Sequence, residues 1–267
     1  MKKKIVLMLT VIMLIGLAGC GKNQINIKET GTSDNNEQMV QNIYENKRTE
    51  VKQKISEIKE RLPETSAEDK GTCGSKAKWY YKDNTLIIYG EGVITEDTWH
   101  KSNIVINTVV IDSGITKLGN NMFSGLGSEV GKNIENFYIA DGLEEIGSST
   151  FVNCDCLSEI VLPPSLYFID GYTFASCDSL KNVYMTDGVE KIGDSAFTGC
   201  KSLDSIFIPK TVLAIGNGVF TGCNNLSDIQ ISKDNRIFSE KNNCIINNDT
   251  KTLIYAINKD FSIPDDI

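Results

Sequence analysis

The chain has 267 residues, 27 of them basic and 35 acidic, and a formal net charge of −8. This length is enough for one elongated domain with a tether. The acidic balance argues against nucleic acid as a partner, because binding to phosphates requires clustered cations.

The amino terminus has the pattern of a secretory signal. Three lysines (2–4) precede an apolar run over residues 5–18, which ends in small residues before Cys20. The run is shorter than the roughly 20 residues that a spanning helix needs. The segment 17–20 resembles the lipobox of bacterial lipoproteins, which implies a signal peptide over 1–19 and a diacylglycerol on Cys20. Two acyl chains would anchor the protein stably. The alternative is an ordinary secretory signal followed by an accidental cysteine.

Three segments connect the signal to the body of the protein. Cleavage removes three lysines and no acid, which takes the net charge from −8 to −11. Residues 20–36 are polar and predict a flexible tether. Residues 37–62 predict an amphipathic helix that ends at Pro63, and its apolar positions are Val51, Ile55, Ile58 and Leu62. Residues 63–70 form a second linker.

The helix is either a stalk or a piece packed on the domain that follows. Toward its amino terminus, only Tyr44, Gln41 and Arg48 continue the apolar positions. This argues against a stable coiled coil, and we favour a stalk.

The most informative feature is a repeat with a period of 23 residues. An Ile or Leu is followed by Gly or Asp and, four residues later, by Phe. The pairs are Leu118/Phe123, Ile146/Phe151, Ile169/Phe174, Ile192/Phe197 and Ile215/Phe220. The first interval is 28 residues, which indicates a five-residue insertion around 125–133 that should bulge as a loop. A fixed period of this size predicts a solenoid, in which each unit buries its apolar face against its neighbours.

Other columns repeat with the same period. Each Phe from Phe151 onward is followed by a Cys, a Leu and a short alternating strand, and six strand positions in register predict a narrow parallel sheet. The columns resemble the BspA-like class of bacterial leucine-rich repeats, and residues 197–209 come near to that family's consensus. The resemblance implies an amino-terminal β cap over 71–103, repeats over 104–232, and an irregular hairpin repeat followed by the start of a further repeat over 233–267. The fold class is thus a β-rich leucine-rich repeat solenoid.

Four cysteines occupy one repeat column: Cys154, Cys177, Cys200 and Cys223. Stacked coils would hold their Cβ atoms about 4.8 Å apart, beyond the roughly 3.5–4.5 Å that a disulfide favours. We therefore expect a buried, reduced ladder. Cys156 falls in a column of polar residues and should face outward. Residues 154–156 could ligate a metal in principle, but no second pair has a suitable spacing, and no metal is predicted.

Catalytic signals are weak. His100 is the only histidine, and no nucleophile motif supports it. Neither a phosphate-binding loop nor a zinc signature occurs, and no cofactor is predicted. The pairs Asp141-Gly142 and Asp187-Gly188 follow strands, where we favour turn chemistry over a calcium site.

The central residue of each Ile-x-Ile strand should point away from the interior onto the open sheet face. We call these the strand-centre residues, and they are Val110, Tyr138, Val161, Tyr184, Phe207 and Gln230. Five of the six are apolar or aromatic, as in many interaction sites. Two alternatives stay open: strands prefer such residues anyway, and the helix could cover them.

These features predict a lipid-anchored bacterial lipoprotein exposed at the cell surface. It would bind a protein or glycan through the strand-centre residues without catalysis, and the family resemblance implies adhesion. A structural lipoprotein that organises envelope proteins is the alternative, and a hydrolase is a remote third. The oligomeric state is not predicted.

Overall fold

The computed structural model describes residues 33–101, 104–126 and 129–257. The predicted signal peptide, Cys20, most of the tether and the start of a further repeat after residue 257 lie outside these residues. Within the described ranges, no helix combines the length and the apolar character needed to cross a membrane.

The repeats form the predicted solenoid. One strand from each coil enters a parallel sheet, here called the front sheet. Its repeat strands are Thr108–Ile111, Asn136–Ile139, Glu159–Val161, Asn182–Tyr184, Ser205–Ile208 and Asp228–Ile231. They pair in three hydrogen-bonded sections, of which the first includes the cap and the other two contain two strands each. The predicted parallel sheet is therefore confirmed.

A second parallel sheet forms where each coil reaches its Ile-Gly or Ile-Asp segment. Its strands are Ile115–Leu118, Glu145–Ile146, Phe168–Ile169, Lys191–Ile192 and Ala214–Ile215. They pair in this order. Each coil thus crosses the body of the protein between two narrow sheets, and its apolar side chains fill the space between them.

The phenylalanine column forms the centre of this interior. Phe123, Phe151, Phe174, Phe197 and Phe220 are fully buried. Their rings stack with centroid separations of 5.0–5.9 Å and interplanar angles of at most 11°. Near-parallel ring pairs at these centroid distances contribute to stability beyond the burial of their area. The repeat period therefore places one ring per coil directly over the next.

The amino-terminal cap contains three consecutive antiparallel strands, Asp69–Thr72, Lys76–Lys82 and Thr85–Ile94. It begins two residues before the predicted boundary, and short 3-10 helices lie at Glu64–Ser66 and Thr98–Lys101. The strand Thr85–Ile94 pairs in parallel with the first strand of both repeat sheets. Trp99 then continues the aromatic stack onto Phe123 at 5.3 Å.

The insertion and the carboxy-terminal region depart from the regular coils. A short helix, Glu129–Asn133, lies within the predicted insertion. After the last repeat strand, Phe238–Lys241, Cys244–Asn247 and Thr252–Ala256 form a three-stranded antiparallel sheet. This sheet agrees with the irregular hairpin repeat that the family resemblance implied.

The Asp-Gly pairs lie in turns after the front strands. Gly142 and Gly188 have φ values of 115° and 142°, and a Cβ atom at either would lie 2.4 Å from a carbonyl oxygen of the preceding coil. The Asp141 carboxylate pairs with cations of the N-terminal helix, and that of Asp187 pairs with Lys210. Glycine is therefore required by the turn.

The N-terminal helix spans Ser33–Arg61, four residues longer at its start than predicted. It does not stand free as a stalk. Val51, Ile55, Ile58 and Leu62 are buried against the front sheet, so the preferred interpretation is wrong and the alternative, a helix packed on the domain, describes the molecule. The apolar side of the helix packs against the apolar strand-centre residues.

Candidate ligand-binding face

The strand-centre residues lie on the outer face of the front sheet. Val110 and Val161 belong to a cluster of buried side chains separate from the solenoid core, and Tyr138 and Tyr184 pack at its margin. Their flanking residues point inward and join the core. The alternation of a β-strand therefore produces two apolar surfaces from one sheet.

The N-terminal helix covers much of this outer face. The Tyr44 hydroxyl donates a hydrogen bond to the Leu162 carbonyl at 2.8 Å, and the Tyr80 hydroxyl donates one to the Leu62 carbonyl at 2.9 Å. Near the start of the helix, Glu37 accepts a hydrogen bond from Ser232 at 2.5 Å. These bonds reach from the cap to the last front strand, so the helix runs along the length of the sheet.

Ion pairs fix the helix at four further points. They are Lys47 with Glu159 at 3.0 Å, Lys59 with Asp112, and both Arg48 and Lys52 with Asp141. In each pair the helix supplies the cation and the sheet side supplies the carboxylate. The front sheet is therefore an apolar face with an acidic rim, and the helix is its basic complement.

Arg48 occupies the most buried charged position of the interface. Its side chain is only 4% exposed, and its Nη1 donates to the Ile139 carbonyl at 3.0 Å. Its Nη2 pairs with Asp141. A buried cation is tolerated only where such partners compensate for lost hydration. Arg48 consequently fixes the register of the helix on the sheet.

Helix docking divides the strand-centre residues into three groups. Val110 and Val161 are buried, Tyr138 and Tyr184 are half-buried beside the helix, and Phe207 and Gln230 lie near its start. The expectation that the whole column faces water is wrong for the first group, because the helix provides the apolar cover. Burial also raises the pKa of the Tyr138 and Tyr184 hydroxyls.

The open part of the face lies at the carboxy-terminal end of the front sheet. A cleft there is lined by Val40, Ile43, Tyr184, Phe207 and Gln230. The Lys47 ammonium lies 5.6 Å from the centroid of the Tyr184 ring, and Lys47 lines a separate cleft beside Val161. The cleft therefore presents an aromatic surface beside a cation.

A polar groove of about 600 Å³ adjoins the cleft. Phe207 and Gln230 form part of its wall, and Glu37, Asp228 and side chains of the carboxy-terminal sheet form the rest. Phe207 and Gln230 thus line both cavities. Tyr184 lines only the cleft, so three of the six strand-centre residues border these two cavities.

The cysteine column lies inside the solenoid, away from this site. Cys154, Cys177, Cys200 and Cys223 are buried and free. Each thiol donates to the carbonyl of a phenylalanine in the preceding coil, at 2.9–3.2 Å. Burial raises the pKa of the Cys177 thiol, and the column acts in packing and hydrogen bonding.

The other described cysteines are also free. Cys73 and Cys244 are buried in the two end regions, and burial raises the pKa of Cys73 to about 12. Cys156 is exposed while Cys154 points inward, so the two do not converge on one metal ion. No group of three potential metal ligands occurs in the part of the chain that the structure describes.

His100 lies in the cap, where its Nδ1 is 2.7 Å from the Asp97 carboxylate. Its ring contacts that of Trp99 edge-on at 6.1 Å. It lies outside the strand-centre face and its clefts. These contacts indicate a structural role for His100, which packs against Trp99 at the amino-terminal end of the aromatic stack.

Sequence reasoning missed the acidic rim and its basic counterpart. The signal was present in Lys47, Arg48 and Lys59, which occupy one side of the helix together with Tyr44. Arg48 interrupts the apolar positions, which argues against a coiled coil but does not show where the cation binds. Its partners, Ile139 and Asp141, are more than 90 residues away in the chain.

Comparisons with known proteins agree with this fold. Residues 130–250 match the family model described as "BspA type Leucine rich repeat region" in six copies. A leucine-rich repeat protein from Eubacterium ventriosum is similar in structure, with a TM-score of 0.63 and 23% identity over 73% of this chain and 54% of that chain. No relative of this sequence was found among curated proteins.

Two further solved structures resemble the chain. The pneumococcal vaccine antigen PcpA has a TM-score of 0.51 and 19% identity over 71% of this chain and 56% of its own. A leucine rich cell surface protein from Faecalibacterium prausnitzii has a TM-score of 0.53 and 21% identity over 76% of this chain and 66% of its own. The chain spans about half to two thirds of the length of these proteins.

Proposed function

Because residues 130–250 of this chain are BspA-type leucine-rich repeats, we propose that the protein binds a protein partner at the bacterial cell surface. The observation that carries the proposal is the open carboxy-terminal end of the front sheet, where Tyr184 and Phe207 line one cleft. Both side chains are half-buried, and aromatic side chains in clefts are frequent binding hot spots. Adhesion is the role we assign to this surface, and no catalysis is assigned.

Surface location is supported by a similar solved structure described as a cell surface protein. We assign attachment to a diacylglycerol on Cys20, on the lipobox-like sequence before it. Cys20→Ala should move the protein from the membrane fraction to the soluble fraction, because both acyl chains are lost. A variant protein that stays membrane-bound would contradict lipid anchoring and leave the binding face untested by this experiment.

Binding is tested with the mature chain (20–267) carrying Cys20→Ala, hereafter the soluble mature chain. Purified host matrix proteins and purified envelope proteins are immobilised separately and titrated with it. Binding to the former supports adhesion, while binding to the latter supports a scaffolding role. Tyr184→Ala with Phe207→Ala should weaken binding by at least tenfold, since a hot spot contributes more than about 1.4 kcal/mol.

Tyr167→Ala is the matched control for this experiment. Tyr167 is an exposed aromatic residue beside the second sheet, away from the clefts. Its loss should leave binding unchanged. Equal weakening by Tyr167→Ala and by the double variant would contradict the assigned face.

A glycan is a second candidate ligand, favoured by the polar groove. Its wall carries the Gln230 amide beside Ser239, Asn243 and Asn248. Amides and hydroxyls next to an aromatic ring suit an uncharged, hydroxyl-rich ligand. Titration with mucin-derived oligosaccharides tests this candidate, and Asn243→Ala should weaken their binding without affecting protein binding at the apolar cleft.

A further inference from the structure

The docked N-terminal helix shows what the front sheet recognises. Its interior positions place Tyr44, Arg48, Val51, Ile55 and Ile58 against the sheet, in steps of four and three residues. The steps match those of an amphipathic helix lying along a flat surface. The face therefore fits side chains at these particular helical positions, one of which is a cation, and does not simply bind any apolar segment.

Charge adds a second, independent requirement. The four ion pairs between helix and sheet place Lys47, Arg48, Lys52 and Lys59 on the helix and only carboxylates on the sheet side. A helix with the same apolar positions but acidic flanks would meet Glu159, Asp141 and Asp112 as like charges. Such complementarity discriminates between partners more than it adds affinity.

The fit of the chain's own helix is incomplete. Tyr138 borders two clefts between helix and sheet, of about 240 and 380 Å³. The Nε atom of Arg48 is buried and has no hydrogen-bond partner among the described residues. The clefts are open to solvent and mark contact area that the helix leaves unused, and an unpaired buried donor weakens an interface. A helix with bulkier side chains at these positions would therefore fill the face better.

We propose that the front sheet is a receptor for a basic amphipathic helix, and that a protein partner binds by placing such a helix where the N-terminal helix lies. This inference rests on the proposed function and names the chemistry of the partner segment. The chain's own helix is then a resident ligand that the partner displaces. The required pattern is an aromatic residue, a buried cation four residues later, and aliphatic residues three, seven and ten positions after the cation.

The mode of binding is helix-in-groove recognition, in which the apolar face of an amphipathic helix occupies a hydrophobic groove. Displacement leaves the solenoid interior intact, because the strand-centre cluster is separate from the core. It also frees the covered residues Val110 and Val161 for the partner. The open cleft at Tyr184 and Phe207 would be the first point of contact.

The probe for this proposal is a fluorescent peptide of residues 37–62, titrated against the soluble mature chain and followed by anisotropy. The opened variant is Lys47→Glu with Lys59→Glu. Both side chains lie on the solvent side of the interface and outside the core, so the solenoid should keep its circular dichroism spectrum. We expect the peptide to bind this variant at least tenfold more tightly than the unchanged chain, whose own helix competes.

Two charge-exchanged reagents test the recognition chemistry. A peptide carrying Arg48→Glu should lose binding to the opened variant. Because Lys52 also pairs with Asp141, a peptide carrying both Arg48→Glu and Lys52→Glu should regain part of the binding when Asp141→Arg is added to that variant. A peptide that keeps the apolar positions and cations but has its solvent-facing residues replaced should bind as the parent does. Binding by this last peptide would show that the face recognises the pattern of apolar and basic positions and does not require the exact sequence of residues 37–62.

Three outcomes would overturn the proposal. They are a parent peptide that binds no chain, an Arg48→Glu peptide that binds as well as the parent, and a soluble mature chain that elutes as a dimer which the peptide dissociates. The last result would assign the face to the helix of a second copy. Peptide binding is independent of the immobilised-protein panel, so failure of either experiment is distinguishable from failure of the other.

Discussion

Truncation of one ring in the aromatic stack should unfold the solenoid more readily than any surface change. Phe174 is fully buried and stacks on Phe151 at 5.0 Å and on Phe197 at 5.3 Å. Phe174→Ala should lower the free energy of unfolding by about 3–5 kcal/mol, the range for buried phenylalanine. Phe174→Leu keeps much of the apolar volume but removes two ring pairs, which contribute about 0.5–1.5 kcal/mol each.

The assay is urea denaturation of the soluble mature chain, followed by circular dichroism. Total stability of a domain is about 5–15 kcal/mol, so the alanine variant should show a large shift in midpoint. Phe207→Ala is the matched control, because Phe207 lies on the front face outside the core and should cost about 1 kcal/mol or less. Similar losses for Phe174→Ala and Phe207→Ala would refute the assignment of stability to the stack.

Two further predictions concern titration and thiol reactivity. Burial alone would raise the pKa of the Asp141 carboxyl, but hydrogen bonds from Lys52 and Arg48 hold that pKa below its ordinary value. This stabilisation is present above the unfolded-state pKa of about 3.9 and is lost as the pH falls through the folded-state pKa. Amide hydrogen exchange of the helix should therefore accelerate below about pH 4, and Asp141→Asn should remove that acid-dependent step. Among the described cysteines, Cys156 should react rapidly with Ellman's reagent, while Cys177 reacts only after denaturation; a fast phase that survives Cys156→Ser would contradict the buried ladder.

The interior of the protein could be predicted from the sequence because the same residue types recur at the same position of each repeat and make the same contact with the next coil. Phe123 to Phe220 and the four column cysteines recur at fixed intervals, so one coil explains its neighbours. The outward direction of Tyr138 and Phe207 followed equally from strand alternation. The fold class and the cap needed no information from distant parts of the chain.

The cover on the front sheet could not be predicted in the same way, because the N-terminal helix occurs only once. Amphipathic spacing shows that a helix buries one side but does not identify the surface that it meets. Arg48 made this ambiguity worse, since a charge among apolar positions argues against burial when its partners are unknown. The structure supplies those partners from another coil, Ile139 and Asp141.

The direction of the N-terminal helix determines which end of the solenoid lies beside the start of the helix. Glu37 accepts a hydrogen bond from Ser232, directly after the last front strand, and the Leu62 carbonyl accepts one from Tyr80 in the cap, so the helix runs against the order of the coils. A lipid on Cys20 would therefore be joined to the domain through the end of the helix that lies beside the last repeats. Release of the helix would change this connection: its 29 residues, about 43 Å long at 1.5 Å per residue, would become a spacer between the membrane and the cap.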